Sequence, residues 1–342
     1  MARLTRAGTG TPRSIAARGG PSVIRALASR AMSEPRFGTV RGNPIGPVES
    51  FDGTKLFVGE TGTGPTVVFA HGFCLNASSW HYQLRDLSDE FRVVVYDMRG
   101  HGESEPPASN DWSMDAHARD LEAVIAAVAD GPVIVVGHSM GGMALIDYCG
   151  LFPEQLGSRV RALALVDTAA HDVMGGMVPS AARLLTPALR LLEQAATMAA
   201  ARNPEAFDRV RKNQKNMVAL LIRLMGFGPK AHRHQLAFMH QMLQAIPAEI
   251  LVPIVRTLRT MDVSAALDEI DVPTLVMVGE RDRLTPRAAA RYLATAIHGA
   301  QLAVIPHSGH MPMLEHPDEF NTVLRRFLKQ PGASYGGRAL LG

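Results

Sequence analysis

Residues Val133-Ile134-Val135-Val136 run directly into Gly137-His138-Ser139-Met140-Gly141-Gly142, and this stretch decides how the rest of the chain is read. Four β-branched residues in a row read as a strand buried on both faces. The small residues at 137 and 141 permit a turn tight enough to lift the Ser139 hydroxyl above the end of that strand. The N-terminus of the helix that follows favours negative charge nearby. Strand, sharp turn and helix together form the context in which a G-x-S-x-G serine acts as a nucleophile.

Outward from this stretch, turn residues and apolar runs alternate as in a mostly parallel sheet covered by helices on both faces. Val48 to Phe51 and Lys55 to Val58, joined through Asp52-Gly53, predict an opening hairpin. Thr66 to Ala70, Arg92 to Tyr96, Val133 to Val136 and Ala162 to Val166 predict buried parallel strands, and Thr274 to Val278 and Gln301 to Ile305 predict the last two. Helices are expected over Ser78 to Leu87, Met114 to Ala129, Pro286 to Ile297 and Glu315 to Leu328. In the second, Leu121, Val124, Ile125 and Val128 recur at helical spacing. The expected fold is α/β, a doubly wound and mostly parallel eight-stranded sheet with an inserted helical cap. Residues 46–168 and 271–330 form its core, 169–270 the cap, 1–45 a disordered Arg-rich extension and 331–342 a flexible tail. The cap carries eight of the 17 methionines. Methionine fills adaptable apolar surfaces, so Met174, Met177, Met239 and Met242 are candidates for lining a substrate pocket as well as for ordinary packing.

A serine hydroxyl needs a base within hydrogen-bond reach and a third group to orient that base. His310 follows the last predicted strand in Pro306-His307-Ser308-Gly309-His310, and Asp282 follows the preceding one in Gly279-Glu280-Arg281-Asp282. Both are expected at the edge where Ser139 emerges, and the order Ser, Asp, His is a known solution of the triad. His307 is the rival base.

These marks, with His71-Gly72-Phe73 after the third strand and Asp97-Met98-Arg99-Gly100-His101-Gly102-Glu103-Ser104 after the fourth, resemble the α/β-hydrolase superfamily, specifically its capped lipase, esterase and peroxidase-like members. The resemblance covers roughly Val48 to Leu328. It implies Ser139 as nucleophile, Asp282 as acid and His310 as base, with the backbone N–H groups of Phe73 and Met140 as the oxyanion hole; Asp167, at the end of the sixth strand, is the rival acid, because some members place the acid there. His71, Arg99 and His101 are expected to brace loops. A serine at the elbow sets the chain apart from relatives with an aspartate nucleophile, the epoxide hydrolases and haloalkane dehalogenases. Hydrolysis of carboxylic esters, lactones or thioesters through an acyl-enzyme leads. Cofactor-free perhydrolysis of the haloperoxidase type and C–C bond hydrolysis are the alternatives with the same triad. A small-molecule receptor that has lost turnover is the alternative of another class.

Composition narrows the partners. Of 342 residues, 46% are apolar and 20% charged, as in an ordinary globular chain. The net charge of +3 comes from residues 1–36, where seven arginines face one acid, Glu34, while the rest of the chain is net negative. Charge confined to a Gly/Ser/Ala-rich segment does not make the basic stripe of a nucleic-acid binder. The expected partner is a small ester-like molecule, with no nucleic acid, metal or organic cofactor. Cys74 and Cys149 read as buried free thiols. No apolar run reaches the ~18 residues of a membrane span. The first 36 residues lack the apolar stretch of roughly 7 to 15 residues of a secretory signal, so a cytoplasmic location is expected. A transit peptide, or a translation start at Met32, are the other readings of that segment.

Overall fold

The computed structural model describes residues 37–173, residue 195 and residues 198–330. Its sheet has eight strands: β1 (Asn43–Glu49), β2 (Lys55–Thr61), β3 (Thr66–Ala70), β4 (Arg92–Tyr96), β5 (Val133–His138), β6 (Val160–Val166), β7 (Thr274–Gly279) and β8 (Gln301–Ile305). They lie in the order β1-β2-β4-β3-β5-β6-β7-β8. The pairs β1/β2 and β2/β4 are antiparallel and every later pair is parallel. The chain builds outward from β3 to β4, then crosses back to place β5 on the other side of β3. Loops that part at such a reversal leave a crevice at the carboxyl ends of the strands, where α/β sheets bind ligands. The loop after β3 and Ser139 after β5 flank it.

Side chains alternate strictly between two apolar layers, as the two-residue period of a strand requires. Val68, Val94, Val135, Leu165 and Val276 face one layer, while Val67, Phe69, Val95, Val136, Ala164 and Met277 face the other. The first is closed by helices α2 (Met114–Val128), α3 (Met140–Leu151) and α8 (Arg287–Ala296). The second is closed by α1 (His81–Leu87) and α10 (Pro317–Lys329). Ser113 caps α2, its side chain accepting from Ala116 N–H.

Between β6 and β7 the described residues hold the helices α4 (Pro204–Asn213), α5 (Lys215–Met225), α6 (Arg233–Ala245) and α7 (Ala248–Thr260) and no strand of the sheet. Met242 is buried in the second apolar layer and Met239 packs partly buried against it. Met174 and Met177 lie outside the described residues, as do residues 1–36, with Met32, and residues 331–342. Among the described residues no single helix is long and apolar enough to cross a membrane.

β2 runs on to Thr61 and β6 begins at Val160, each longer than expected, and three other boundaries differ for reasons readable in the residues. The first strand covers Asn43–Glu49, and Phe51 sits exposed in the turn, where Ser50 N–H donates to Thr54 O and Gly53 N–H to Ser50 O. Pro44, Gly46 and Pro47 read as turn signals. An edge strand tolerates them, and the register shifts between Pro44 and Gly46. The first helix begins as a 3-10 turn, Ala77–Trp80, whose cap Asn76 accepts from Ser78 N–H. The last helix is broken: α9 (Pro312–Glu315) stops and α10 restarts at Pro317, which lacks an N–H to continue a helix but suits its first position.

Candidate active site

Ser139 stands between β5 and α3 with φ 51° and ψ −118°, a conformation a residue with a Cβ rarely holds. Four further non-glycine residues with positive φ lie in the loops after β3, β6 and β8: Cys74 (60°), Asp167 (41°), Asp172 (48°) and His307 (61°). Strain held by its surroundings is therefore concentrated at one sheet edge. The Ser139 turn survives because its neighbours are small. A Cβ on Gly137 would fall 2.6 Å from Gly141 O, and one on Gly141 would fall 2.5 Å from His71 O. Ser139 N–H donates to Val166 O at 2.9 Å, and the Thr168 hydroxyl donates to Ser139 O at 2.8 Å.

His310 and Asp282 meet as expected from their places after β8 and β7. His310 Nδ1–H donates to Asp282 Oδ2 at 2.9 Å, both residues buried. Asp282 also accepts from Leu284 N–H at 2.8 Å and from the Thr285 hydroxyl at 2.7 Å. Burial alone would raise the Asp282 pKa. The neighbouring His310 and the hydrogen bonds from His310, Asp167 and Thr285 outweigh it and hold the group below the ordinary carboxylate range. His307, the rival base, is more than half exposed and faces Glu280 at 3.6 Å. Asp167, the rival acid, is buried, and its Oδ1 accepts from Gly279 N–H at 2.8 Å.

The peptide of His310 is fixed from several sides. Its N–H donates to Gly226 O at 3.1 Å, and its carbonyl accepts from His138 Nε2–H at 2.8 Å. The His138 and His310 rings are 4.9 Å apart, so the residue next to Ser139 touches the residue paired with Asp282. Burial, with His310 adding to it, pushes the His138 pKa down to about 3, so the ring is neutral and its Nε2 carries a proton for this bond. Glu315, on α9, accepts from the backbone N–H groups of Gly309, Met311 and Gly228, tying the His310 loop to the segment between α5 and α6.

The loop after β3 lies against the serine: a Cβ on Gly72 would fall 2.9 Å from Ser139 Cβ. Two neutral histidines hold it there. His71 accepts from Met98 N–H at Nε2 (2.9 Å) and donates from Nδ1 to Gly72 O (2.8 Å). His101 accepts from Cys74 N–H at Nε2 (3.3 Å) and donates from Nδ1 to Arg99 O (2.9 Å). Burial lowers their pKa values to about 4 and about 3. Arg99 is wholly buried and bonds both carboxylate oxygens of Asp120 at 2.6 Å, bracing the loop after β4. Gly72, the residue before Phe73, approaches Ser139 from one side, and Met140 follows the serine as the first residue of α3, where an N–H has no acceptor within its own helix.

Among the described residues, Asp167, Asp282 and His310 form the one group whose donor atoms, within 4.8 Å of one another, could hold a metal ion. Asp282 and His310 are already joined through a proton that a metal would have to displace. Cys74 and Cys149 are buried free thiols whose pKa values burial raises, which makes them poor nucleophiles.

A profile of the alpha/beta hydrolase family matches residues 67–323. The chain belongs to the alpha/beta hydrolase family. Its relatives include the pimeloyl-[acyl-carrier protein] methyl ester esterase of Chromobacterium violaceum, 30% identical over 80% of this chain and 98% of that protein. A non-heme haloperoxidase of Rhodococcus erythropolis is 28% identical over 82% of this chain and 98% of its own. The solved structure of a thermophilic esterase from Thermogutta terrifontis, with malate bound, superposes with a TM-score of 0.69. It is 25% identical and covers 84% of this chain and 99% of that one.

Within this alpha/beta hydrolase, the sequence reading missed His138, Thr285 and Glu315. His138 acts on a carbonyl 172 residues away and Glu315 reaches Gly228 N–H 87 residues away, contacts that only the fold creates. Thr285, three residues after Asp282, had the one local signal, a hydroxyl within reach of a loop carboxylate.

Proposed function

We propose that this alpha/beta hydrolase cleaves carboxylic esters, lactones or thioesters of small to medium apolar substrates through an acyl-enzyme on Ser139. The observation that carries the reading is the buried His310–Asp282 pair, 2.9 Å apart, with the His310 carbonyl bonded to the residue that precedes Ser139. His310 Nε2, the ring nitrogen not committed to Asp282, takes the Ser139 proton as Oγ attacks the acyl carbon. Asp282, held ionised, stabilises the imidazolium. The tetrahedral oxyanion is met by the N–H groups of Phe73 and Met140, preorganised in a loop and a helix start that need no reorientation. His310 then protonates the leaving group, and water repeats the sequence on the acyl-enzyme. The relatives named as esterases support esters over other acyl compounds. The apolar helical segment between β6 and β7, read as a cap, suits an acyl or aryl chain.

Initial rates on p-nitrophenyl esters of graded acyl length test this. Turnover that vanishes in Ser139→Ala, with a chain-length optimum, supports the reading. Ester turnover unchanged in Ser139→Ala would refute it. The haloperoxidase relative makes perhydrolysis the second reading, and halide oxidation that depends on peroxide and a carboxylic acid, exceeding ester turnover, would favour it.

A further inference from the structure

We infer that Asp167 is a positioning residue that holds its own proton and donates it, as an O–H···O hydrogen bond, to the Asp282 carboxylate behind His310. This rests on the proposed function, because it assigns Asp282 and His310 to the acid–base pair. Asp167 follows β6, fixed at φ 41° by its N–H bond to Met277 O at 2.8 Å, with Oδ1 accepting from Gly279 N–H. Its Oδ2 is sealed from solvent and accepts from no N–H or O–H of the described residues. Asp282 lies beside it: a carboxylate oxygen of Asp167, one of Asp282 and a ring nitrogen of His310 lie within 4.8 Å of one another.

Two carboxylate oxygens facing each other in a buried site repel unless one carries a proton. The environments of the two groups decide which one. Asp282 collects an imidazole N–H, a hydroxyl and two backbone N–H groups, all of which favour its charge. Asp167 receives one backbone N–H, and the charged or titratable groups that face it are Asp282, His310 and Glu315. Burial, the Asp282 charge and the hydrogen bond with Asp282 all push the Asp167 pKa well above the carboxylate range. The same hydrogen bond helps to keep Asp282 ionised. No proton is transferred: the Asp167 O–H stays on Asp167 while His310 gains and loses the serine proton. The cluster therefore carries one negative charge against the imidazolium.

The test is a titration of the His310 imidazole by NMR in the wild type, Asp167→Asn and Asp167→Ala, with pH profiles of kcat/KM beside it. An asparagine donates an N–H in place of the O–H without changing the charge. Asp167→Asn is expected to leave the His310 midpoint within about 0.3 units, well inside the one-unit scatter that environments cause. It should also keep kcat/KM within about threefold, whereas Asp167→Ala, which has no donor, should lose roughly tenfold or more. If Asp167 were ionised, Asp167→Asn would remove a negative charge within 4.8 Å of the cluster. The His310 midpoint would then fall by about one unit or more at an effective dielectric near ~20, which would overturn the inference. Equal losses in Asn and Ala would overturn it as well. The carboxyl 13C shift of Asp167 in the unmodified protein reads the same proton without any variant, and an ionised shift at neutral pH would refute it. The NMR readouts do not need turnover, so a protein without serine-dependent activity would fail the proposed function while still answering this question.

Discussion

Replacing Gly72 by alanine moves one wall of the proposed oxyanion hole without deleting any hydrogen-bonding group. The new Cβ would fall 2.8 Å from His138 Nδ1 and 2.9 Å from Ser139 Cβ. Ordinary carbon–carbon contact is about 3.5–4.0 Å, so the β3 loop must retreat from the serine by about 0.6–1.1 Å. The other side cannot yield: His138 is buried and bonded to His310 O, and Ser139 is pinned by Val166 O and Thr168. The Phe73 N–H moves with the loop. A misplacement of about 1 Å can cost on the order of 10²-fold, and loss of one oxyanion donor costs about 10²–10³ in kcat. Gly72→Ala is therefore expected to lower kcat on a p-nitrophenyl ester by about 10²–10³ with KM changed far less, because the donor matters most in the transition state. The overpacking should also cost about 1–3 kcal/mol of stability, read by urea denaturation. A variant that unfolds earlier yet keeps kcat within about threefold would show that the Gly72 loop does not carry an oxyanion donor.

Other variants test separate parts of the account. Asp282→Asn should fold and lose about 10³–10⁴ in kcat, by analogy with the loss of the orienting acid in other triads; near-normal turnover there, with collapse in Asp167→Asn, would reverse the assignment of the acid. His138 is kept neutral in the fold with a pKa of about 3, while its unfolded value is about 6.5. The unfolded chain thus binds a proton that the folded chain does not, and stability is lost as pH falls from about 6.5 towards the folded value. His138→Gln should make the fall in stability between pH 6 and pH 4 shallower by up to about 1.4 kcal/mol per unit, and denaturation curves with unchanged pH dependence would contradict this. Arg99→Met leaves the buried Asp120 without its bidentate partner and should destabilise the protein by about 3–5 kcal/mol, measured by urea denaturation.

What the sequence made legible follows from how local each signal is. Val133 to Gly142 announces its own strand, turn and helix within one stretch, and the β-branched runs of the other parallel strands are readable because both their faces are buried. Asp282 and His310 could be placed because a parallel sheet sends the residues after every strand to one edge. Asn43–Glu49 was not legible, because Pro44, Gly46 and Pro47 are signals against a strand that only an edge position excuses. His138 could not be recognised, since its partner, the His310 carbonyl, is 172 residues away. Glu315 accepts backbone N–H groups that no spacing in the sequence records. The role inferred for Asp167 depends on which of two buried carboxyls keeps a proton, and that is decided by donors at the end of β7, in the loop after it and in the loop after β8.

Intact-mass spectrometry after incubation with a fluorophosphonate probe, with peptide mapping of the adduct, tests the central claim most directly. The account predicts one adduct, on Ser139, that appears as ester turnover disappears and is absent from Ser139→Ala. A folded wild-type protein that hydrolyses esters yet carries no adduct, or carries it on another residue, would contradict it.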